Sequence, residues 1–185
     1  MASLRTLLPT AAPLAHALSQ QDDPYWRSRA NSKVTDKTGE PVSDFCVLAG
    51  NSNPELSKKV AARLGTQLAP GIVHKFADGE VRCEFNADDV AGKHCYIVQP
   101  TCRPVNDSLM ELLTMISACR RAGCLSVTVV APYYGYARQD RGSKGKATPI
   151  TSGDVSQMIE FMGANRIITV DLHSLQTTGM VTAKC

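Results

Sequence analysis

Three short, near-continuous apolar runs, Phe45-Cys46-Val47-Leu48-Ala49, Tyr96-Ile97-Val98 and Leu125 to Val130, set the tightest constraint on how this chain can fold. A half-buried strand alternates apolar and polar side chains, whereas a strand covered on both faces stays apolar throughout. The segments between the runs carry helical spacing. Asn53-Pro54-Glu55 can open a helix, with Asn53 as cap and Pro54 in the first turn. Leu56, Val60, Ala61 and Leu64 then recur at the helical period up to Gly65. A longer helix is expected from Asn106 or Asp107, carrying Leu109, Leu112, Leu113, Ile116 and Cys119 and closing at Arg120-Arg121 and Gly123. Its basic end suits the negative pole of the helix. Val81 to Phe85 and Arg166 to Val170 read as further strands, and Ser152 to Met162 as a helix. Alternation of this kind predicts an α/β fold with a largely parallel sheet flanked by helices.

The 185 residues, 43% hydrophobic and 20% charged, suffice for one domain with a core. A net charge of +3 is too small to argue for a nucleic acid or an anionic membrane as partner. No stretch approaches the ~18 apolar residues of a membrane span. Seven cysteines stand at 46, 83, 95, 102, 119, 124 and 185, with no C-x-x-C pair. The odd number argues against a disulfide framework or a zinc site and for free thiols in a reducing compartment such as the cytoplasm. Residues 1–43 read as an extension outside the domain. Their first 21 residues hold one charged side chain, Arg5, which gives them the flavour of an organellar transit peptide, although such a peptide normally carries more arginine. The folded domain is expected over 44–176, followed by a divergent tail at 177–185.

Ligands of open parallel sheets collect beyond the carboxyl ends of the strands. Three strand ends lead into Gln99-Pro100-Thr101, Pro132 to Arg141, and Asp171-Leu172-His173. Arg138 and Arg141 offer planar donor forks for phosphate oxygens. Asp171 offers a hard oxygen ligand suited to magnesium, and on extended backbone His173 points the same way. Together they suit a magnesium–polyphosphate ligand, which needs positioning and charge neutralisation above all. The plainer alternative is a solvated arginine–aspartate pair beside a structural histidine. Gly142 to Lys146 does not match G-x-x-x-x-G-K-[ST] and reads as a basic loop. In Lys75 to Glu80, Phe76 could stack on a purine, with Asp78 and Glu80 accepting from its amino or ribose hydroxyl groups. On pattern alone, a hairpin turn at Asp78-Gly79 with Phe76 in the core is the better reading.

As a set, these residues resemble the ribose-phosphate pyrophosphokinases, which make phosphoribosyl pyrophosphate (PRPP). Leu48 to Leu56 resembles their opening strand-turn-helix, and Phe76-Ala77-Asp78-Gly79-Glu80 their F-x-D-G-E segment. Gln99 to Cys102 with Asn106 to Leu112 is similar to another block, Pro132 to Arg141 to their P-Y-[FY]-G-Y-A-R-Q-D-[RK] block, and Asp171 to Gln176 to the start of their signature. The blocks keep the family's order from about residue 45 to 176. The resemblance implies the first of two type I phosphoribosyltransferase-like domains and transfer of the diphosphoryl group of ATP, with Mg2+, to the 1-hydroxyl of ribose 5-phosphate. It implies that Arg138, Gln139 and Asp140, with Arg141, lie along ATP, that His173 sits beside the phosphates as the catalytic residue, and that Asp171 and His173 attend the metal. Phe76, Asp78 and Glu80 would hold the adenosine end from a neighbouring subunit, within a homo-oligomer or beside full-length subunits.

The resemblance weakens after Gln176. Where the family continues G-[FY]-F and then an aspartate, this chain reads Thr177 to Cys185, with Thr182 at the aspartate position. The family's basic flexible loop and its D-D-x-x-x-[ST]-G-G-[ST] loop for ribose 5-phosphate have no counterpart in the sequence. The expectation is therefore a truncated domain holding the ATP half of a site without the acceptor half, inactive by itself. Two alternatives are a non-catalytic partner like the regulatory synthetase-associated proteins and a free nucleotide-binding domain.

Overall fold

The computed structural model describes residues 34–35, 41–42 and 45–180. The expected extension 1–43 lies outside them, except for β1 (Val34–Thr35) and β2 (Pro41–Val42), which pair antiparallel. The domain then runs β3 (Phe45–Ala49), α1 (Pro54–Arg63), β4 (Gly71–Lys75), β5 (Val81–Phe85), α2 (Ala87–Val90), β6 (His94–Val98), α3 (Val105–Arg121), β7 (Ser126–Val130), α4 (Thr151–Phe161) and β8 (Arg166–Ile168), closing with a 3-10 turn at Leu175–Met180. No helix of the described residues is long and apolar enough to cross a membrane.

The apolar runs become β3, β6 and β7 of a four-stranded sheet, ordered β3-β6-β7-β8 and parallel at every pairing. In-register partners include Val47 with Tyr96, Tyr96 with Thr128, and Thr128 with Arg166. Both faces are covered, which is why the runs do not alternate. Cys46, Leu48, Cys95, Ile97, Val127, Val129 and Ile167 face α3 and α4, where Leu112, Met115, Ile116, Val155 and Ile159 close the main core. Val47, Val98 and Val130 face the other way, onto Leu56, Val60, Ala61 and Leu64 of α1 and its end. α1 starts as expected: Asn53 Oδ1 accepts from Leu56 N at 3.1 Å, with Pro54 in the first turn.

β8 is shorter than predicted, because Thr169 and Val170 leave the ladder. α3 starts at Val105, without a side-chain cap. β4 is a strand that the sequence reading does not assign; it pairs antiparallel with β5 in a hairpin lying against α3 through Val73, Cys83 and Phe85. The first residues of the expected divergent tail, 177–180, complete the 3-10 turn and pack onto α4, with Thr177 buried and its Oγ1 accepting from Ser152 Oγ at 3.1 Å. All six described cysteines are free thiols. Burial first, then the nearby Glu111 and Glu84, pushes the Cys83 thiol up to about 12, which leaves it unreactive at neutral pH.

A buried polar knot fastens the carboxyl edge of the sheet. Gln99, directly after β6, is fully buried. Its Oε1 accepts from Ser52 Oγ at 2.7 Å and Ser52 N at 3.2 Å, and its Nε2 donates to Ser108 O at 3.2 Å and Glu111 Oε2 at 2.9 Å. Glu111, itself buried, also accepts from the backbone N and the Nδ2 of Asn51. Gly50 is required beneath this knot, since a Cβ there would stand 2.1 Å from Gln99 Oε1.

Glu111→Ala removes the only acceptor of one Gln99 N–H and two acceptors of Asn51. Asn51 is exposed, but the orphaned Gln99 N–H is fully buried, and such a donor costs about 1–3 kcal/mol, so urea unfolding is expected to show about that loss. An unchanged midpoint would mean that water replaces the carboxylate freely.

Candidate functional site

The loops following β6, β7 and β8 are stitched together before any side chain reaches outward. Gln99 N donates to Val130 O at 3.0 Å, Thr101 N to Tyr133 O at 2.9 Å, and Ala131 N to Ile168 O at 2.8 Å. Tyr133 and Asp171 continue the parallel pairing as an isolated bridge. Thr101 Oγ1 both donates to Tyr133 O and accepts from Gly135 N at 2.6 Å. The close approach excludes a side chain at Gly135, whose Cβ would stand 2.8 Å from Thr101 O. Next to it, Tyr136 takes φ 62°, a left-handed conformation unusual for a tyrosine. Its hydroxyl donates to Asn106 Oδ1 at the start of α3. The turn drives Ala137 into the core and leaves Arg138 and Gln139 exposed. Tyr134 is buried with its hydroxyl on Ser152 O at 3.1 Å, and burial raises its pKa.

The structure therefore brings Arg138, Gln139, Asp140 and Arg141 beside the segment Asp171–Ser174, and it distinguishes their surroundings. The side chains of Arg138, Asp171 and His173 are exposed and make no hydrogen bond or ion pair among the described residues. A solvated arginine–aspartate pair, the plainer sequence reading, does not describe Arg138. Gln139 is engaged already: Ser152 N donates to its carbonyl at 3.0 Å and Thr151 Oγ1 to its Oε1 at 2.6 Å, tying it to the start of α4. Asp140 is 4% exposed and accepts from Ser174 Oγ. That hydrogen bond, ahead of a backbone bond and the positive charges of Arg141 and His173, holds its carboxyl below the usual aspartate range against the opposing effect of burial. Arg141 Nε lies 4.0 Å from Asp140 Oδ1 on a side chain that is mostly in solvent. Residues 142–150 are exposed throughout.

Phe76, Asp78 and Glu80 form a separate group at the tip of the β4–β5 hairpin. The expected turn is present: Gly79 has φ 94°, its N donates to Phe76 O at 3.0 Å, and Glu80 N donates to Asp78 Oδ1 at 3.1 Å. Phe76 is not in the core, as the turn reading expects, but 47% exposed with its ring edge-on to His74. Strand alternation shows why: Val73 is the one half-buried residue of β4, and Phe76, three residues on, falls on the opposite side. The hairpin is moored by Asn51 Nδ2 donating to Val73 O at 2.7 Å and by the Lys75–Asp107 ion pair. Among the described residues, no hydrogen bond or ion pair joins its tip to the Arg138–His173 cluster.

Sequence reasoning assigned no role to Ser174 and no structural role to Gln99 or Glu111. Glu111 carried a legible signal, because it falls with Ser108 and Met115 on the buried stripe of α3. No group of three or more His, Cys, Asp or Glu side chains among the described residues is arranged to hold a metal ion. One exposed carboxylate with a neighbouring imidazole, Asp171 and His173, is the donor set present at the strand ends.

A parallel four-stranded sheet covered by helices on both faces is an α/β domain of the type I phosphoribosyltransferase kind, and its carboxyl edge presents Arg138, Asp171 and His173. The chain belongs to the ribose-phosphate pyrophosphokinase family: residues 45–163 match the N-terminal domain of ribose phosphate pyrophosphokinase. It is 48% identical over 138 residues to a ribose-phosphate pyrophosphokinase of Marinomonas sp., covering 75% of this chain and 44% of that protein. It is 50% identical over 137 residues to one of Thermosipho africanus, covering 74% and 43%. The crystal structure of phosphoribosylpyrophosphate synthetase from Mycobacterium smegmatis superposes with a TM-score of 0.73 at 34% identity, over 77% of this chain and 47% of that one. The chain thus spans less than half the length of the curated relatives it matches.

Ser174→Ala is expected to raise the Asp140 pKa toward the ordinary aspartate value, read by carboxyl-carbon NMR titration. Because the folded pKa is depressed, Asp140 contributes stability above its unfolded pKa and loses it as pH falls through the folded one. The variant should accordingly lose stability at neutral pH and show a shallower acid dependence. An unmoved carboxyl titration would leave Arg141 and His173 as the cause.

Proposed function

We propose that this chain supplies the nucleotide half of a ribose-phosphate diphosphokinase site, in which the diphosphoryl group of ATP passes to the 1-hydroxyl of ribose 5-phosphate with release of AMP. The observation that carries the reading is the exposed trio Arg138, Asp171 and His173, without a hydrogen bond or ion pair among the described residues, on adjacent, mutually bridged strand ends. A guanidinium without an acid partner at such an edge suits phosphate oxygens, which it can grip through two parallel hydrogen bonds. Gln139 and Arg141 flank it along the polyphosphate, and His173 is the group placed to meet the transferred phosphates.

The donor set fits magnesium. Mg2+ keeps most of its shell as water and nucleotide oxygens and takes only one or two protein carboxylates, so Asp171, with His173 beside it, would hold the ion without a protein cage. When bound, the ion neutralises charge on the phosphates. The residues of this chain contribute the positioning, on which phosphoryl-type transfer chiefly depends. Intact Arg138, Asp171 and His173 favour a catalytic subunit over a regulatory synthetase-associated partner. Phe76, Asp78 and Glu80, apart from the strand-end cluster, suit the adenosine end of a site on a neighbouring subunit, so self-association or association with full-length subunits belongs to the same reading.

Calorimetric titration of magnesium-ATP into the protein and into Arg138→Ala is expected to show a loss of about 1.5–3 kcal/mol, that of hydrogen bonds to a charged group. Equal affinities would reduce Arg138 to a surface charge. Assayed by itself, the 185-residue polypeptide is expected to form AMP and PRPP only at background. Holding two reactants in line supplies about 7–11 kcal/mol of such a barrier, and nothing in these residues resembles the family's ribose 5-phosphate loop. Ordinary turnover that His173→Ala abolishes would overturn this expectation.

A further inference from the structure

Asp140 stands in the middle of an exposed stretch, yet it is the one acidic side chain of that stretch that is turned inward. Its neighbours Gln139 and Arg141 are open to solvent, whereas Asp140 is 4% exposed. A carboxylate so placed has little surface left for a ligand and must be satisfied by the protein. Arg141 does this poorly, at 4.0 Å and on a side chain 79% exposed. Ser174 does it directly, through Oγ donating to Asp140 Oδ2 across a sequence separation of 34.

The bond falls where the backbone has run out of ladder. β8 ends at Ile168, and the segment beyond it carries Asp171 and His173. The tethers of that segment are the Tyr133–Asp171 bridge, the packing of Leu172 on the core and the Ser174–Asp140 bond. His173 lies between the first and the last. On the other side, Gln139 is pinned to α4 by its carbonyl and its Oε1. A bond from Asp140 to Ser174 therefore sets the distance between the Arg138–Gln139 pair and His173.

We infer that Asp140 and Ser174 are a positioning pair: Asp140 acts on the nucleotide through Ser174, by holding the Asp171–His173 segment against the Arg138 loop, and does not itself contact ATP. The inference rests on the nucleotide-site reading proposed above and departs from the placement of Asp140 along bound ATP that family resemblance implies. It also gives Ser174 a role at a position where nothing in the local sequence marks one.

A double-mutant cycle decides it. Magnesium-ATP affinity is measured by calorimetry for the intact chain, Asp140→Ala, Ser174→Ala and the double variant. Each single change is expected to weaken binding by about ten- to 150-fold, the range for losing one hydrogen bond to a charged group, and the double variant no more than the worse single one. Ser174→Thr, which keeps the hydroxyl, is expected to restore affinity. Wild-type affinity in Ser174→Ala together with a loss in Asp140→Ala would overturn the inference, because Asp140 would then touch the ligand itself; additive losses would do the same. A ligand-free arm separates this outcome from failure of the nucleotide-site reading. Amide hydrogen exchange over 171–176 is expected to quicken in Asp140→Ala and Ser174→Ala alike, while β6 and β7 stay protected. Should the intact chain bind no magnesium-ATP, the proposed function falls and the exchange result alone judges the pair; unaltered exchange in both variants would overturn it.

Discussion

The side-chain amide of Gln99 is the interaction on which the rest of this structure depends. Where a parallel sheet ends, its strands diverge and their polar groups lose their partners, yet the edge must stay dry enough to hold the helices behind it. Gln99 meets this requirement by using both ends of its amide: the oxygen receives the turn after β3, and the nitrogen reaches Ser108 and Glu111 of α3. Glu111 extends the link to Asn51, and Asn51 to the hairpin through Val73. Four elements far apart in sequence are thus set in register by one buried group, and the loops that follow β6 and β7 inherit a fixed starting point.

From that starting point the site divides into two parts with different physical characters. The strand-end part is firmly supported and chemically unfinished: Arg138, Asp171 and His173 project from loops whose backbones are bonded to one another, and their side chains make no hydrogen bond or ion pair among the described residues. Tyr136, in a conformation that costs roughly 1–2 kcal/mol for a residue with a Cβ, is held there by Gly135, Thr101 and Asn106 and directs Arg138 outward. The hairpin part carries an aromatic face and two carboxylates, suited to a nucleoside rather than to phosphates. The two parts share no hydrogen bond or ion pair among the described residues.

What the sequence made legible follows from physical scale. Runs buried on both faces announce themselves, so β3, β6 and β7 were readable, and the Asn53-Pro54 start of α1 was readable because a cap is a local device. β4 was not, because Gly71, His74 and Lys75 lie on its exposed positions and dilute the pattern that Ile72 and Val73 begin. The position of Arg138, Arg141, Asp171 and His173 beyond strand ends was legible from the order of the elements. Their unequal environments were not, since the burial of Asp140 depends on Ser174 in another loop, and the solvent exposure of Phe76 depends on which side of the hairpin α3 occupies. Long-range pairings of single polar groups leave no periodic trace.

The hairpin's independence from the central sheet has a consequence for how the molecule loosens. β4 and β5 form a ladder of their own, joined to the body by one side-chain amide, an exposed ion pair and the packing of Val73, Cys83 and Phe85. Local opening costs only the contacts that are broken, so this ladder can part from α3 while every hydrogen bond of the four-stranded sheet stays intact. The domain then behaves as two cooperative units of unequal free energy, with the aromatic tip riding on the weaker one and the Arg138–His173 edge on the stronger.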